Sequence, residues 1–199
     1  MFASDAERDV AGSLRRMRTP YFAYGSNMDE QDMRRRCPGS RPLGSARLDG
    51  HKLAFTRRSI RSATGVADVL PTPGHTVWGA LYELDEDEFE VLDRKEGVGW
   101  AYVREQKRVT LIADGSVRDA VVYTVLDKEP EEVPPSRAYL DRLIAAATHL
   151  GLPHAYVVDL ETVVVGRGAR VGLSTQQQTN PPDCELSDQG GRVVKLSDF

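Results

Sequence analysis

"YFAYGSNMDE", residues 21–30, reads as a short aromatic strand that stops at a glycine and passes directly into helix-forming sequence. Tyr21, Phe22 and Tyr24 are residue types that suit a pleated, half-buried surface, whereas Gly25, Ser26 and Asn27 favour turns. Asn27 stands where a helix N-cap belongs, and Glu30 three residues later completes a capping-box pattern. A strand, a glycine turn and a helix start together expose backbone N–H groups that can receive an anion. The same elements also make an ordinary tight turn, and this stretch alone leaves both readings open.

Working outward, Cys37-Pro38-Gly39 ends the helix that follows. Residues 46–58, 65–72 and 75–84 have strand-type apolar positions, and turn residues separate the three. Asp85 and Glu88 form a second capping signature, which opens a helix through Phe89, Val91 and Leu92 that Gly97 and Gly99 close. Two longer strands, 101–112 and 118–126, flank a hairpin turn at 113–116. A helix is expected from the Ser136 cap, with apolar residues at 139, 140, 143, 144 and 147 and a stop at Gly151. The β-branched run from His154 is compatible with helix or strand, and helix is the preferred reading. Residues 1–19 read as a polar leader, 20–173 as one domain and 174–199 as a poorly ordered tail rich in Gln, Pro and Gly.

A chain of 199 residues with 40% hydrophobic content can bury one substantial core. Its net charge of -4 argues against a nucleic-acid surface, and the basic runs 34–36 and 57–58 read as solvated faces. Cys37 and Cys184 stand far apart with no zinc spacing, which fits a reducing cytoplasm. No run approaches the length of a membrane span, about 20 apolar residues.

Several kinds of catalysis find no residues. Ser26 lacks the glycine after it that a hydrolase elbow requires, since 24–28 read Tyr-Gly-Ser-Asn-Met. No phosphate-binding G-x-x-x-x-G-K-[ST] loop occurs, and His51, His75, His149 and His154 form no metal-ligand pattern. The carboxylates are more informative. Eight acids lie between 83 and 96, most of them suited to the wet side of an amphipathic helix. Glu96 differs, because Phe89, Leu92 and Glu96 fall at i, i+3 and i+7 and share one face if the helix continues. There a carboxyl group would be desolvated and tuned for proton transfer; alternatively, Glu96 frays into solvent at Gly97.

Five separated stretches together resemble the γ-glutamylcyclotransferases, in the branch related to the mammalian cytosolic enzyme. They are "YFAYGSNM" (21–28), "VWGALYEL" (77–84), "LDRKEGV" (92–98) with Tyr102 soon after, "AVVYTV" (120–125), and "PPSRAYLDRLIAAATHLGLP" (134–153). The resemblance covers about residues 20–165 and implies an α+β fold, a small mixed β-barrel with surrounding helices. It also implies a reaction in which the substrate's own α-amine attacks its γ-carbonyl, closing 5-oxoproline and releasing an amine. No nucleophile, metal or other cofactor is called for.

By the same resemblance Glu96 matches the catalytic glutamate, and Tyr21, Phe22, Ala23, Tyr24, Gly25, Ser26 and Asn27 match the substrate-binding loop. Tyr139 matches a substrate-contacting tyrosine, and Tyr102 and Tyr123 match tyrosines that line the pocket, with ordinary aromatic core as the other reading for these side chains. The implied partner is a small γ-glutamyl amide, with no nucleic acid, no membrane and a homodimer as one assembly. Glutathione metabolism is the implied setting. Removal of a γ-glutamyl protecting group from a biosynthetic intermediate, or ligand binding without turnover, are the alternatives. Met28 departs from the leucine usual after YGSN, a volume-conserving swap. The segment 57–64 carries three arginines that bear on the released half of the substrate.

Overall fold

Alternating apolar residues along five segments close a β-barrel in the computed structural model, which describes residues 17–166. The strands are β1 (Thr19–Ala23), β2 (Arg41–Arg58), β3 (Gly65–Leu84), β4 (Tyr102–Leu111) and β5 (Val117–Val125). Their order around the barrel is β1-β3-β2-β4-β5. Every neighbouring pair is antiparallel except β1 and β5, which meet in parallel with Tyr21 opposite Val121. Phe22, Leu48, Val77, Leu81, Val109 and Val122 are buried in the core that this closure creates. The mixed barrel with helices around it is the expected architecture.

The helices are α1 (Glu30–Arg36), α2 (Glu86–Glu96), α3 (Arg137–His149) and α4 (His154–Glu161). At the start of α2 both halves of the capping box form: Asp85 accepts from Glu88 N–H, and the Glu88 carboxylate accepts from Asp85 N–H at 3.1 Å. Gly97 ends the same helix in the left-handed region, with φ 68°. A Cβ there would also lie 2.5 Å from the Trp100 ring, so both backbone and packing require glycine. Helix α3 buries Leu140, Leu143, Ala146 and Ala147 along one stripe, and the Ser136 hydroxyl caps it by accepting from Tyr139 N–H at 3.2 Å. Ser136→Ala is expected to cost about 1 kcal/mol; a shift in the urea midpoint with an unchanged slope measures it.

Three local expectations need correction. The cap of α1 is Asp29, which accepts from Asp32 N–H at 2.9 Å, while Asn27 lies in a preceding 3-10 turn, Ser26–Met28. Asp29 prevails because its short carboxylate reaches the first helical turn, whereas the Asn27 side chain is engaged elsewhere. Second, residues 65–72 and 75–84 belong to one element, β3, and β2 begins at Arg41. The anticipated turn survives as an irregularity: Asp49 pairs with Thr76 and His51 with Pro71, so Gly50 faces four residues. The chain folds back there. Gly79 packs on the Ala23 carbonyl and Ala67 lies beside Gly25, yet a straight strand would separate positions 67 and 79 by about 40 Å. Third, the final run is helical only as far as Glu161. Residues 1–16 of the expected leader, and the whole expected tail, lie outside the described residues.

Candidate active site

The barrel's β1 delivers the aromatic strand to one end, where Tyr21, Tyr24, Gly25, Ser26, Asn27, Ala67, Glu96, Tyr102, Tyr123 and Tyr139 surround a narrow cavity of about 40 Å³. Nine of these ten are residues that the sequence singled out; Ala67 is the addition. Phe22 and Ala23 stand apart from them. Both are buried in the core and form barrel wall rather than cavity lining.

Glu96 reaches the cavity as the last residue of α2. Phe89 and Leu92 anchor that helix in the core, and the shared face carries the Glu96 side chain inward until it is 16% exposed. The frayed alternative is therefore not what forms. Nor does the carboxylate sit against a bare apolar wall. Its Oε1 accepts from the Asn27 Nδ2 amide at 3.0 Å and from Lys95 Nζ at 2.6 Å. Both contacts fall on one oxygen, which leaves Oε2 without a hydrogen bond among the described residues.

Asn27 ties the turn to the acid. Its Nδ2 donates to Glu96 and to the Tyr21 hydroxyl, the latter at 2.8 Å, while its Oδ1 accepts from Lys95 Nζ at 3.0 Å and from Arg36 at 3.4 Å. Two donors and two acceptor sites exhaust what a side-chain amide can offer, and the cations on the oxygen side fix its orientation. Lys95 completes the triangle by donating to Ser26 Oγ at 3.3 Å. Neighbours on a helix do not ordinarily face one another, so sequence gave no cue that Lys95 would meet Glu96. The pairing arises where the helix ends at Gly97.

The tyrosines play separate parts. Tyr102 donates to the Ala67 carbonyl at 3.0 Å and Tyr139 accepts from the Ala67 N–H at 3.3 Å, so the two hydroxyls clamp the backbone of one β3 residue on both sides of its Cα. Tyr24 donates to the Tyr123 carbonyl at 2.5 Å, across the parallel seam between β1 and β5. Tyr123 in turn donates to Asp93 at 2.8 Å, and the Arg104 guanidinium grips both oxygens of that carboxylate. Burial raises the pKa of Tyr21 well above the ordinary phenol range, and the nearby Glu96 charge adds to it. Burial likewise lifts Tyr24, Tyr102 and Tyr123, and pushes Tyr139 up to about 12. All five therefore stay neutral O–H groups across the physiological range, and Glu96 is the one acidic side chain in the lining.

Of the four histidines that the sequence raised, His75, His149 and His154 are exposed and His51 is partly buried in β2. Among the described residues, no three His, Cys, Asp or Glu side chains converge as a metal site would need. No helix among them is long and apolar enough to cross a membrane.

Residues 76–160 match the model of the AIG2-like family. The chain is 30% identical over 149 residues to a γ-glutamylcyclotransferase from Homo sapiens, an alignment that takes in 72% of this chain and 77% of that one. A γ-glutamylcyclotransferase from Mus musculus aligns with the same identity and the same shares of both chains. Among solved structures, one described as γ-glutamyl cyclotransferase superposes with a TM-score of 0.71 at 27% identity, covering 77% of this chain and 92% of the other.

Proposed function

We propose, from the premise that this chain belongs to the γ-glutamylcyclotransferase family, that Glu96 and the 21–27 turn carry out that family's reaction here. The enzyme converts a γ-glutamyl amide into 5-oxoproline and a free amine. A bond forms between the substrate's α-nitrogen and its γ-carbonyl carbon, and the γ-amide C–N bond breaks. The net proton movement runs from the α-ammonium to the departing nitrogen.

Each part of the cavity fits one need of that reaction. The α-ammonium cannot attack until it loses a proton, and the Oε2 of Glu96 is the oxygen placed to take it. Asn27 and Lys95 hold Oε1, which fixes the carboxylate plane and leaves the second oxygen for the substrate. The same oxygen returns the proton to the leaving amine, so Glu96 acts as base and then as acid. The hydroxyls of Tyr21 and Tyr139, which only accept within the cavity wall, with the N–H groups that lead into the 3-10 turn, donate to the substrate carboxylate and to the oxygen that gains charge at the γ-carbon. Nucleophile and electrophile both belong to the substrate, so this scheme uses no cofactor. Glutathione and γ-glutamyl amino acids are the natural first substrates, and a reducing cytoplasm is the assigned setting.

The observation that carries this reading is the convergence on one cavity of the 21–27 turn and a glutamate 69 residues away in sequence, joined by a single amide. Mass spectrometry after incubation with γ-glutamyl-alanine is expected to detect 5-oxoproline and alanine in equal amounts. Glutamate and alanine instead would indicate hydrolysis and overturn the reading.

A further inference from the structure

The narrow cavity shares Ser26, Glu96, Tyr102 and Tyr139 with a wider one of about 690 Å³ that continues from it toward solvent. Because Glu96 stands at the junction, a γ-glutamyl group held in the first space must point its amide nitrogen, and whatever that nitrogen carries, into the second. The walls of the outer space are strongly basic. Arg57, Arg58 and Arg61 enter from the end of the β2–β3 hairpin, and four further cations come from the C-terminal ends of α1 (Arg36) and α2 (Arg94 and Lys95) and from the middle of α3 (Arg142). Glu96 is the one carboxylate in its lining. A chain with a formal charge of -4 thus gathers seven of its 26 lysines and arginines at a single opening.

These cations are not equally neutralised. Arg36 and Arg142 share Asp32, Arg94 pairs with Glu90, and Lys95 with Glu96. The hairpin trio has no carboxylate partner among the described residues. Arg58 donates to the Ala63 carbonyl at 2.8 Å, and the Arg57 guanidinium lies 5.3 Å from the centre of the Trp100 ring. Trp100 is itself 57% exposed beside Gly97. Guanidinium groups left without anions around a concave space are suited to carboxylate or phosphate oxygens.

We infer that the amine released by this enzyme carries two or more negative charges, as carboxylates or as a phosphate with a carboxylate, and that Arg57, Arg58 and Arg61 select it. The inference rests on the cyclisation reading and names the leaving half of the substrate. One acidic group would satisfy only part of the trio. A neutral amine would gain nothing from it, and a cationic one would be repelled.

The test compares γ-glutamyl amides that share the reacting atoms and differ in the amine: alaninamide, alanine, glutamate and O-phosphoserine. In the wild-type enzyme kcat/KM is expected to be at least tenfold higher for the glutamate and O-phosphoserine compounds than for the alaninamide, and to fall with added salt most steeply for those two, less for the alanine compound and least for the alaninamide. Whichever of the two is faster distinguishes a dicarboxylate from a phosphate. Arg58 and Arg61 are exposed, so a combined Arg58→Gln and Arg61→Gln variant keeps its fold. It is expected to lose at least tenfold on both doubly charged substrates and less than twofold on the alaninamide. Equal kcat/KM for all four amides in the wild type, or equal losses in the variant, would overturn the inference while leaving cyclisation intact. Calorimetric titration with O-phosphoserine alone needs no turnover. Binding that weakens tenfold in the variant supports the basic site even if no amide yields 5-oxoproline, and absence of binding to the wild type counts against it.

Discussion

Replacing Glu96 with Gln is expected to reduce 5-oxoproline formation by about 10²–10⁴-fold while leaving substrate affinity within a few-fold. The amide matches the carboxylate in shape, and its oxygen can still accept from Asn27 and Lys95, so the turn keeps its position. What disappears is an oxygen that can take a proton from the α-ammonium and return it to the leaving nitrogen. Product measured by mass spectrometry gives the rate, and calorimetry with a γ-glutamyl amide gives the affinity. A variant that retained a tenth or more of wild-type turnover would remove Glu96 from the chemistry. One that lost affinity and rate together would make it a binding residue instead.

The second large effect concerns stability. Asp68 is completely buried and accepts from the Thr56 hydroxyl at 2.6 Å, from Val125 N–H at 3.0 Å and from Lys128 Nζ at 2.7 Å. It joins β2, β3 and the end of β5, close behind the part of β3 that the tyrosines clamp. Asp68→Ala is expected to cost about 3–5 kcal/mol, since Thr56 and Val125 would keep buried donors with no acceptor. For a domain of this size that corresponds to a fall of about 6–20 °C in Tm. Asp68→Asn, which retains an acceptor but not the charge, should fall between. A loss below 1 kcal/mol in the alanine variant would show that the surrounding groups find other partners.

Much of this site was legible because its anchors are local. The Asp85 and Glu88 box, the apolar pair Phe89 and Leu92, and the glycine at 97 together determine where α2 starts, which way it faces and where it stops. Spacing thus offered Glu96 on the inner face but left fraying at Gly97 open, and the resemblance of the surrounding stretches singled it out. Asn27 was misread for the opposite reason. As a possible cap it competed with Asp29 two residues later, and pattern could not separate them, because the partners that engage Asn27 include a residue 69 positions away. Lys95 was invisible for a related reason: its contact depends on the helix ending there. Ala67 carries no chemistry that would draw notice, and it matters through its backbone N–H and carbonyl, which only the fold brings to Tyr139 and Tyr102.

The fold-back of β3 opposite Gly50 divides the β2–β3 hairpin into two lengths with different obligations. The inner length is locked by pairing with β1 and β4, and the register of the barrel depends on it. The outer length ends in residues 59–64, which neither strand assignment nor barrel closure constrains. Changes in the length or charge of that extremity would leave the strand register, and with it Tyr21 and Glu96, where they are. The selectivity proposed for the hairpin end and the cyclisation proposed for the cavity thus rest on separate lengths of chain, so the one is open to redesign without disturbing the other.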